Sequence, residues 1–235
     1  LIAAGGLNHW ASVFYLSVWT GDRKSTWARP TAPQWRDIMK QFFSLYSHDF
    51  VRIASCVPPA QVADPEFAAR ETLQLARKGA DDDCAIMLFP ELGLSSYAID
   101  DLFFQDPLLD AVEAALGSVI EASRDLYPII VIGAPLRHQG ALYNTAVVVH
   151  RGEVLGVVPK SYLPNYREFY ERRYFAPGAS VTGRTIEVAG RTVPFGVDLL
   201  FRSNGDVRFT FAIEICEDVW VPLPPTTRAA MAGAE

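Results

Sequence analysis

Three side chains of different chemistry follow apolar, strand-like runs in this sequence of 235 residues. The run CAIMLF ends two residues before Glu91, the run EVLGVV ends two residues before Lys160, and the run FAIEI ends directly at Cys216. Open α/β sheets keep their sites at the carboxyl ends of strands. We therefore expect three neighbouring strands to bring a carboxylate, an ammonium group and a thiol to one edge of a sheet.

These residue types match what is needed to cleave a carbon–nitrogen bond through a covalent intermediate. Such a reaction requires a thiolate that attacks, a base that later protonates the departing ammonia, and positive charge or N–H groups for the oxyanion. Cys216 would attack, Glu91 would be the base, and Lys160 would stabilise the oxyanion and hold Glu91 ionised. The backbone N–H that follows Cys216 would be a second donor to the oxyanion.

Each of these residues also has an ordinary explanation. A cysteine at the end of a strand usually packs in the core, as we expect for Cys56 and Cys84, and a lone Glu or Lys after a strand is usually solvated. Other catalytic signatures are missing: there is no G-x-S-x-G, no Walker A motif, and GAPLRHQG lacks the glycine spacing of a dinucleotide site. The four histidines, which would be needed as bases in Cys-His or Ser-His sites, stand in no recognisable signature.

Composition excludes several other classes of function. The formal net charge is −6 and the basic residues are scattered, so nucleic acid is not an expected partner. The three cysteines form no C-x-x-C pair, which argues against a metal site or a disulfide framework and is typical of the reducing cytoplasm. With 50% hydrophobic residues the chain can bury one large core, and we predict one α/β domain.

Residues 1–38 differ from the rest of the sequence. They hold four of the five tryptophans and show no sustained period of 2 or 3.6. The apolar stretch from Trp10 to Trp19 is about half the roughly 20 residues of a transmembrane helix, so we expect no membrane span. We interpret Met39 as the natural start and residues 1–38 as an extension outside the domain; a docking arm is the alternative.

From Phe50 onward the pattern alternates between strands and helices. Asp64-Pro65 predicts the start of a helix that ends at Gly79, and Asp106-Pro107 predicts the start of another. Arg151-Gly152 separates LYNTAVVVH from EVLGVV and predicts a hairpin, which makes the sheet mixed. The residues expected to face the core from the helices are Ala69, Leu73, Ala76, Leu109, Val112, Leu116 and Val119.

Three motifs carry a family resemblance. FPELGLSSY (89–97), PKSYLPNYREFYERRYFAPG (159–178) and EICEDVW (214–220) have the order and approximate spacing found in the carbon–nitrogen hydrolase (nitrilase) superfamily. The resemblance runs from about Met39 to the last residue. The string LPNYREFYERRYF is the most specific of the three, and it resembles the branch that forms the glutaminase domain of glutamine-dependent NAD synthetases.

The resemblance implies an α-β-β-α sandwich with a Glu-Lys-Cys site. It implies that Glu91 is the proton acceptor, that Lys160 stabilises the oxyanion, and that Cys216 forms a γ-glutamyl thioester. The parent function would be hydrolysis of glutamine, with the ammonia passed to an ATP-dependent site that amidates deamido-NAD. A free-standing amidase or nitrilase and a catalytically inert fragment of the same fold are the alternatives.

The resemblance also implies further site residues. Tyr166 matches a tyrosine that contacts glutamine in the family, and Tyr97 and Glu217 are expected to line the same pocket. A second glutamate is expected beyond the lysine, where Glu168 and Glu171 both qualify; we favour Glu171. The alternative for both is a solvated loop paired with neighbouring arginines.

The sequence departs from the family pattern at its end. The family domain continues with further strands, so residues 39–235 are expected to be an incomplete glutaminase domain without the synthetase domain. No cofactor is expected in this domain, and ATP and magnesium only in the absent synthetase domain. Glutamine, that synthetase domain and further copies of the chain are the expected partners, in the cytoplasm. We expect the 235-residue chain to be at best weakly active.

Overall fold

The structure is a computed structural model that describes residues 12–16, 42–205 and 207–235. The described helices are α1 (Pro65–Asp81), α2 (Asp106–Ala122) and α3 (Pro225–Met231). The described strands are β1 (Ser12–Leu16), β2 (Ile53–Ser55), β3 (Ile86–Leu88), β4 (Ile129–His138), β5 (Ala141–His150), β6 (Glu153–Pro159), β7 (Arg184–Val188), β8 (Arg191–Phe195), β9 (Leu199–Ser203) and β10 (Thr210–Phe211). Short 3-10 turns cover Leu45–His48, Asp100–Phe104, Ser123–Asp125, Glu171–Arg173 and Cys216–Val219.

The strands form two mixed sheets. The larger has seven strands in the order β2-β3-β4-β5-β6-β8-β7, and the smaller has the order β1-β9-β10. Strands β2, β3 and β4 are mutually parallel, while β5 runs antiparallel to both β4 and β6. Arg151 and Gly152 make the β5–β6 turn with φ values of 48° and 79°, so the predicted hairpin and mixed sheet are confirmed.

The two faces of the large sheet are covered by different layers. Helices α1 and α2 pack on one face, and the small sheet packs on the other around Leu199 and Phe201. Alternation along the central strands supplies both interfaces, since Val147 and Val149 point to the helices and Ala146 and Val148 to the small sheet. The predicted α/β class is confirmed, and the described residues show the helix, sheet and sheet layers.

The helix patterns predicted the starts better than the ends. The Asp64 carboxylate accepts a hydrogen bond of 2.9 Å from Phe67 N, and Pro65 occupies the first helical position. The prediction that Gly79 ends α1 is wrong, because the helix continues to Asp81. Gly79 instead provides close packing: a Cβ atom at this position would overlap the sulfur of Met87.

The predicted buried faces are largely confirmed. Leu109, Val112, Leu116 and Val119 are buried in α2. In α1, Ala69 and Ala76 are buried, while Leu73 is half-buried and packs against the same core.

The strands that lead to the three candidate residues are not neighbours. β4 and β5 separate β3 from β6, and β10 belongs to the small sheet. The expectation of three adjacent strands is therefore wrong. Glu91 and Lys160 still meet, because β3 and β6 both run in the direction of β4 and so end at the same edge of the large sheet.

The prediction for residues 1–38 falls mostly outside the described residues. Within that range the structure describes only β1, whose backbone pairs in parallel with β9 from Ser12–Leu199 to Leu16–Ser203. The boundary at Met39 stays a prediction. Among the described residues, no helix combines the length and the apolar character needed to cross a membrane.

Candidate active site

Lys160 is the centre of a buried cluster of charges. It follows β6 directly, and its side chain has no solvent exposure. Its Nζ lies 2.8 Å from Glu91 Oε1 and 2.7 Å from Glu171 Oε1. Burial alone would lower the pKa of Lys160, but attraction to Glu91 and hydrogen bonds to both carboxylates outweigh burial and raise it. Lys160 is therefore an ammonium group held between two carboxylates.

Glu91 receives two donors on the same oxygen. Its Oε1 accepts from Lys160 Nζ and, at 2.6 Å, from Nδ2 of Asn144 on β5. Asn144 is buried, and its backbone carbonyl oxygen accepts a hydrogen bond of 2.8 Å from Lys160 N. Sequence reasoning missed Asn144; an amide side chain within the apolar run LYNTAVVVH is the signal that could have identified it.

Cys216 lies where the extended segment after β10 turns into the 3-10 turn 216–219. Its φ of 49° is in the left-handed region, which is uncommon for a residue with a side chain. The residue is exposed, yet surrounding protein atoms still remove enough water from the thiol to raise its pKa, and the charge of Glu91 raises it further while Lys160 opposes this. Glu91 and Lys160 both lie close enough to the thiol to act on its pKa. Cys56 and Cys84 are buried, as expected for packing.

A second carboxylate in the EICEDVW motif has a structural position. Asp218 is buried, and it accepts hydrogen bonds from Tyr162 N (2.8 Å), Ser161 N (3.2 Å) and Ile215 N (3.1 Å). It therefore connects the segment after Lys160 to the residue before Cys216. The sequence analysis gave Asp218 no role, because its burial is visible only in the fold.

Glu171 and Glu168 differ in burial: Glu171 faces the cluster around Lys160, and Glu168 faces solvent. Glu171 is buried; its Oε1 accepts from Lys160 and, at 2.6 Å, from the Tyr97 hydroxyl, while its Oε2 has no partner among the described residues. Burial raises the pKa of Glu171, and the bonds to Lys160 and Tyr97 oppose this. Burial also raises the pKa of Tyr97, as does its bond to Glu171. Glu168 is exposed and lines a cavity of about 110 Å³ beside this pair.

The exposed Tyr166 and the half-buried Glu217 form a pair next to Cys216. The Tyr166 hydroxyl lies 2.9 Å from Glu217 Oε2 and 3.2 Å from Oε1. This bond is the main cause that raises the pKa of Tyr166. The structure thus places both residues at the open side of the site, rather than in the buried cluster around Lys160.

The aromatic and arginine-rich string after Lys160 is held against the turn 100–104. Tyr170 donates to Asp100 at 2.5 Å, and Arg173 binds Asp101 at 2.8 Å and 2.9 Å. The rings of Phe103 and Phe175 pack with centroids 4.9 Å apart. These contacts fix the 3-10 turn that carries Glu171, so we assign these aromatic and basic side chains to support.

The cluster has the parts of a hydrolytic site and not those of a metal centre. Within residues 42–205 and 207–235, no group of three or more His, Cys, Asp or Glu side chains is arranged to hold a metal ion. A thiol, a carboxylate in reach of it and a buried ammonium group can together perform nucleophilic attack, proton transfer and oxyanion stabilisation.

Comparison with known proteins agrees with this chemistry. Residues 52–235 match the family model of the carbon-nitrogen hydrolases, and the chain belongs to that family. Among curated relatives, the glutamine-dependent NAD(+) synthetase of Mycobacterium tuberculosis strain H37Rv is 54% identical over 193 residues, which are 82% of this chain and 28% of the relative. The chain thus spans less than a third of the length of this relative.

Solved structures show the same fold. A glutamine-dependent NAD(+) synthetase from Cytophaga hutchinsonii is 25% identical with a TM-score of 0.64, covering 71% of this chain and 28% of that one. An amidase of the nitrilase superfamily from Nesterenkonia AN1, at 22% identity and a TM-score of 0.57, covers 79% of this chain and 62% of its own. The second comparison supports the fold alone.

Proposed function

We propose that this chain hydrolyses the side-chain amide of glutamine to glutamate and ammonia through a thioester on Cys216. The observation that carries the proposal is the buried Lys160 ammonium group held between Glu91 and Glu171, with the Cys216 thiol close enough to Glu91 and Lys160 for both to act on its pKa. Glutamine is chosen as substrate because the relatives at 52–54% identity are named glutamine-dependent synthetases.

The first step is attack on the amide. The pKa of the Cys216 thiol is raised by burial and by the charge of Glu91, so the resting thiol keeps its proton at neutral pH. Glu91 accepts that proton as the sulfur bonds to the amide carbon, and the carbonyl oxygen becomes an oxyanion.

Lys160 is suited to stabilise this oxyanion. An ammonium group has three N–H donors, and two of those of Lys160 are directed at Glu91 and Glu171. The third is left for the oxyanion. Glu217 is the second residue of the turn 216–219, and the first N–H groups of such a turn have no partner within it. The Glu217 N–H therefore supplies a second donor.

The remaining steps regenerate the site. The oxyanion collapses, the carbon–nitrogen bond breaks, and Glu91 returns its proton to the nitrogen that leaves as ammonia. Water then attacks the thioester, Glu91 takes a proton from it, and the released sulfur recovers that proton. Atoms and charges balance with water as the only co-reactant.

The pair beside Cys216 is suited to select the substrate. The Glu217 carboxylate can pair with the α-ammonium group of glutamine, and Tyr166 holds that carboxylate in place through its hydroxyl. Tyr97 and Glu171 are proposed to line the deeper side of the same pocket.

Parts of the wider function rest on the relatives and on the family resemblance of the sequence. We propose that the ammonia serves a synthetase domain of a longer parent chain, as the name of the relatives suggests, and, as the family resemblance implies, that this domain uses ATP and magnesium and that several copies assemble. The free cysteines of the described residues suit a reducing compartment such as the cytoplasm.

Covalent labelling tests the site without requiring turnover. The chain is treated with 6-diazo-5-oxo-L-norleucine, a thiol-reactive glutamine analogue, and modified cysteines are identified by peptide mass spectrometry. We expect label on Cys216, protection by L-glutamine but not by L-asparagine, and no label on the buried Cys56 and Cys84. Label on Cys216 without protection by glutamine would contradict the substrate, and label on all three cysteines would contradict an assembled site.

Ammonia release from glutamine tests the reaction itself. Cys216→Ala should abolish ammonia release. Cys84→Ala, which removes a buried thiol distant in sequence from Cys216, should preserve it. Glu91→Gln keeps the shape and removes the base, so we expect a loss of about 10²–10⁴-fold. Near-normal turnover in Glu91→Gln would exclude the proposed base.

A further inference from the structure

We infer that Asn144 is a positioning residue that determines which oxygen of Glu91 acts as the base. The inference rests on the proposed use of Glu91 as proton acceptor. Asn144 acts through its hydrogen bond to Glu91 and not directly on the reacting thiol.

The geometry places two donors on one oxygen of the carboxylate. Glu91 Oε1 accepts from Asn144 Nδ2 at 2.6 Å and from Lys160 Nζ at 2.8 Å. Both bonds reduce the electron density that this oxygen can offer to a further proton. The other oxygen, Oε2, takes part in neither bond, and the inference assigns to it the proton of the Cys216 thiol.

Asn144 is itself held rigidly. It lies on β5 between β4 and β6, opposite Pro135, and is 1% exposed. The backbone carbonyl oxygen of Asn144 accepts from Lys160 N, so one residue of β5 fixes the backbone of Lys160 and the side chain of Glu91. Lys160 and Glu91 follow strands that are not adjacent, and Asn144 is the link between them.

The orientation of the Asn144 amide follows from electrostatics. If Oδ1 rather than Nδ2 faced Glu91, two oxygens with negative charge density would lie within hydrogen-bond distance and repel each other. The amide therefore donates to the carboxylate, and a donor to an ionised group makes a strong hydrogen bond.

The other end of the same amide argues against a purely structural role. Asn144 Oδ1 is buried and has no partner among the described residues. Leaving a buried acceptor unpaired is unfavourable, so a residue retained for packing alone would be better replaced by an apolar one. The donation to Glu91 is the feature that explains an asparagine here.

The test uses the pH dependence of Cys216 alkylation by iodoacetamide, followed on the intact chain by peptide mass spectrometry. Burial and the negative charge of Glu91 raise the pKa of the Cys216 thiol. If Glu91 turns away, its contribution is lost and the midpoint of the alkylation profile moves to lower pH. Glu91→Gln measures the full extent of that shift.

Two variants remove the donor in different ways. Asn144→Leu has a similar volume and no donor, and Asn144→Ser keeps a polar group that is too short to reach Glu91 and leaves room for water. Thr145→Val is the matched control: it is equally buried on the same strand and loses a hydrogen bond to Ala134 O, at 2.6 Å, that does not involve the site.

We expect both Asn144 variants to shift the alkylation midpoint downwards, towards that of Glu91→Gln, and Thr145→Val to keep the wild-type midpoint. Glutamine turnover should fall about 10²-fold in kcat, as for a misplaced catalytic group, with KM within about twofold. A midpoint unchanged in the folded Asn144 variants, or shifted equally in Thr145→Val, would overturn the inference. If the midpoints shift as expected but L-glutamine does not protect Cys216 from the glutamine analogue, the proposed substrate is wrong and the role of Asn144 stands.

Discussion

Gly133 lies against the backbone of Glu91, and a Cβ atom at position 133 would lie 2.9 Å from the Glu91 carbonyl carbon. The same Cβ would come still closer to Pro90 O and Leu92 N. Gly133 is in β4, next to β3, so the chain that leaves β3 crosses directly over it. The position of the proposed base, Glu91, thus depends on a glycine in the neighbouring strand, where any side chain would collide with its backbone.

Gly133→Ala should therefore impair catalysis by moving Glu91. The clash is with backbone atoms, which cannot rotate away as a flexible side chain can, and a displacement of about 1 Å costs on the order of 10²-fold in rate. We expect that loss in kcat for glutamine and a destabilisation of about 1–3 kcal/mol in urea unfolding.

The matched control is Gly117→Ala in α2. A Cβ at position 117 meets nothing closer than Ala189 Cβ at 4.0 Å, and alanine is the better helix former. Gly117→Ala should retain activity and stability. Wild-type kcat in Gly133→Ala would show that the turn after β3 can shift without moving the Glu91 carboxylate.

Lys160→Met should destabilise the fold as well as abolish turnover. The substitution keeps much of the volume but leaves the half-buried Glu91 and the buried Glu171 without their shared cation. Breaking a buried ion pair by removing one partner typically costs about 3–5 kcal/mol, and we expect a loss of this size in urea unfolding at pH 7.

Two further variants make this result interpretable. Lys78→Met removes an exposed lysine of α1 and should change stability by less than about 0.5 kcal/mol. Lys160→Met combined with Glu171→Gln removes one of the two uncompensated charges, so it should recover part of the stability and none of the activity. A cost below about 1 kcal/mol for Lys160→Met would mean that water reaches the cluster.

Much of the site could be predicted from sequence because its residues stand at strand ends. Glu91, Lys160 and Cys216 each follow an apolar run, and the large sheet brings the first two to the same edge. The order of the strands could not be predicted, since an apolar run does not reveal its neighbours. For this reason the sequence does not identify Asn144, which lies within β5, as the link between Glu91 and Lys160.

The choice between Glu168 and Glu171 likewise depends on contacts that the sequence does not show. Glu168 and Glu171 are three residues apart in one polar loop, and sequence alone gave only a preference between them. The contacts of the following aromatic string with the turn 100–104 decide which one faces inward. Gly79 was misjudged for a similar reason: its requirement comes from the Met87 side chain on another element, not from its own backbone.

Asp218→Asn should loosen the connection between the Lys160 segment and the Cys216 turn. The carboxylate accepts three backbone N–H bonds, whereas an amide in the same place turns an NH₂ group towards some of those donors. Leaving buried donors unpaired costs about 1–3 kcal/mol, and we expect a loss of this size by urea unfolding together with slower labelling of Cys216.

Glu217→Gln is the control for Asp218→Asn. It changes the neighbouring carboxylate in the same way, but Glu217 bonds to an exposed tyrosine and not to backbone groups. Its stability should stay within about 0.5 kcal/mol of wild type. Equal losses of stability in the two variants would argue that the net charge of the turn matters and that the specific bonds of Asp218 do not.

His150 should make stability fall in mild acid. It ends β5 in a buried position, and burial, assisted by the nearby charge of Arg151, lowers its pKa from 6.5 to about 4. Its Nδ1 has no partner among the described residues. The folded protein therefore holds the neutral imidazole, while the unfolded chain takes up a proton at higher pH.

The sign of the effect follows from this difference. Because the unfolded state binds more protons, stability due to His150 is present above about pH 6.5 and is lost as the pH falls towards about 4. A shift of this size corresponds to about 3 kcal/mol. Urea unfolding of wild type and His150→Gln across this range should show the steeper decline in wild type, whatever the offset between them at pH 7. Parallel curves for wild type and His150→Gln would mean that the imidazole is as free to protonate in the folded chain as in the unfolded one.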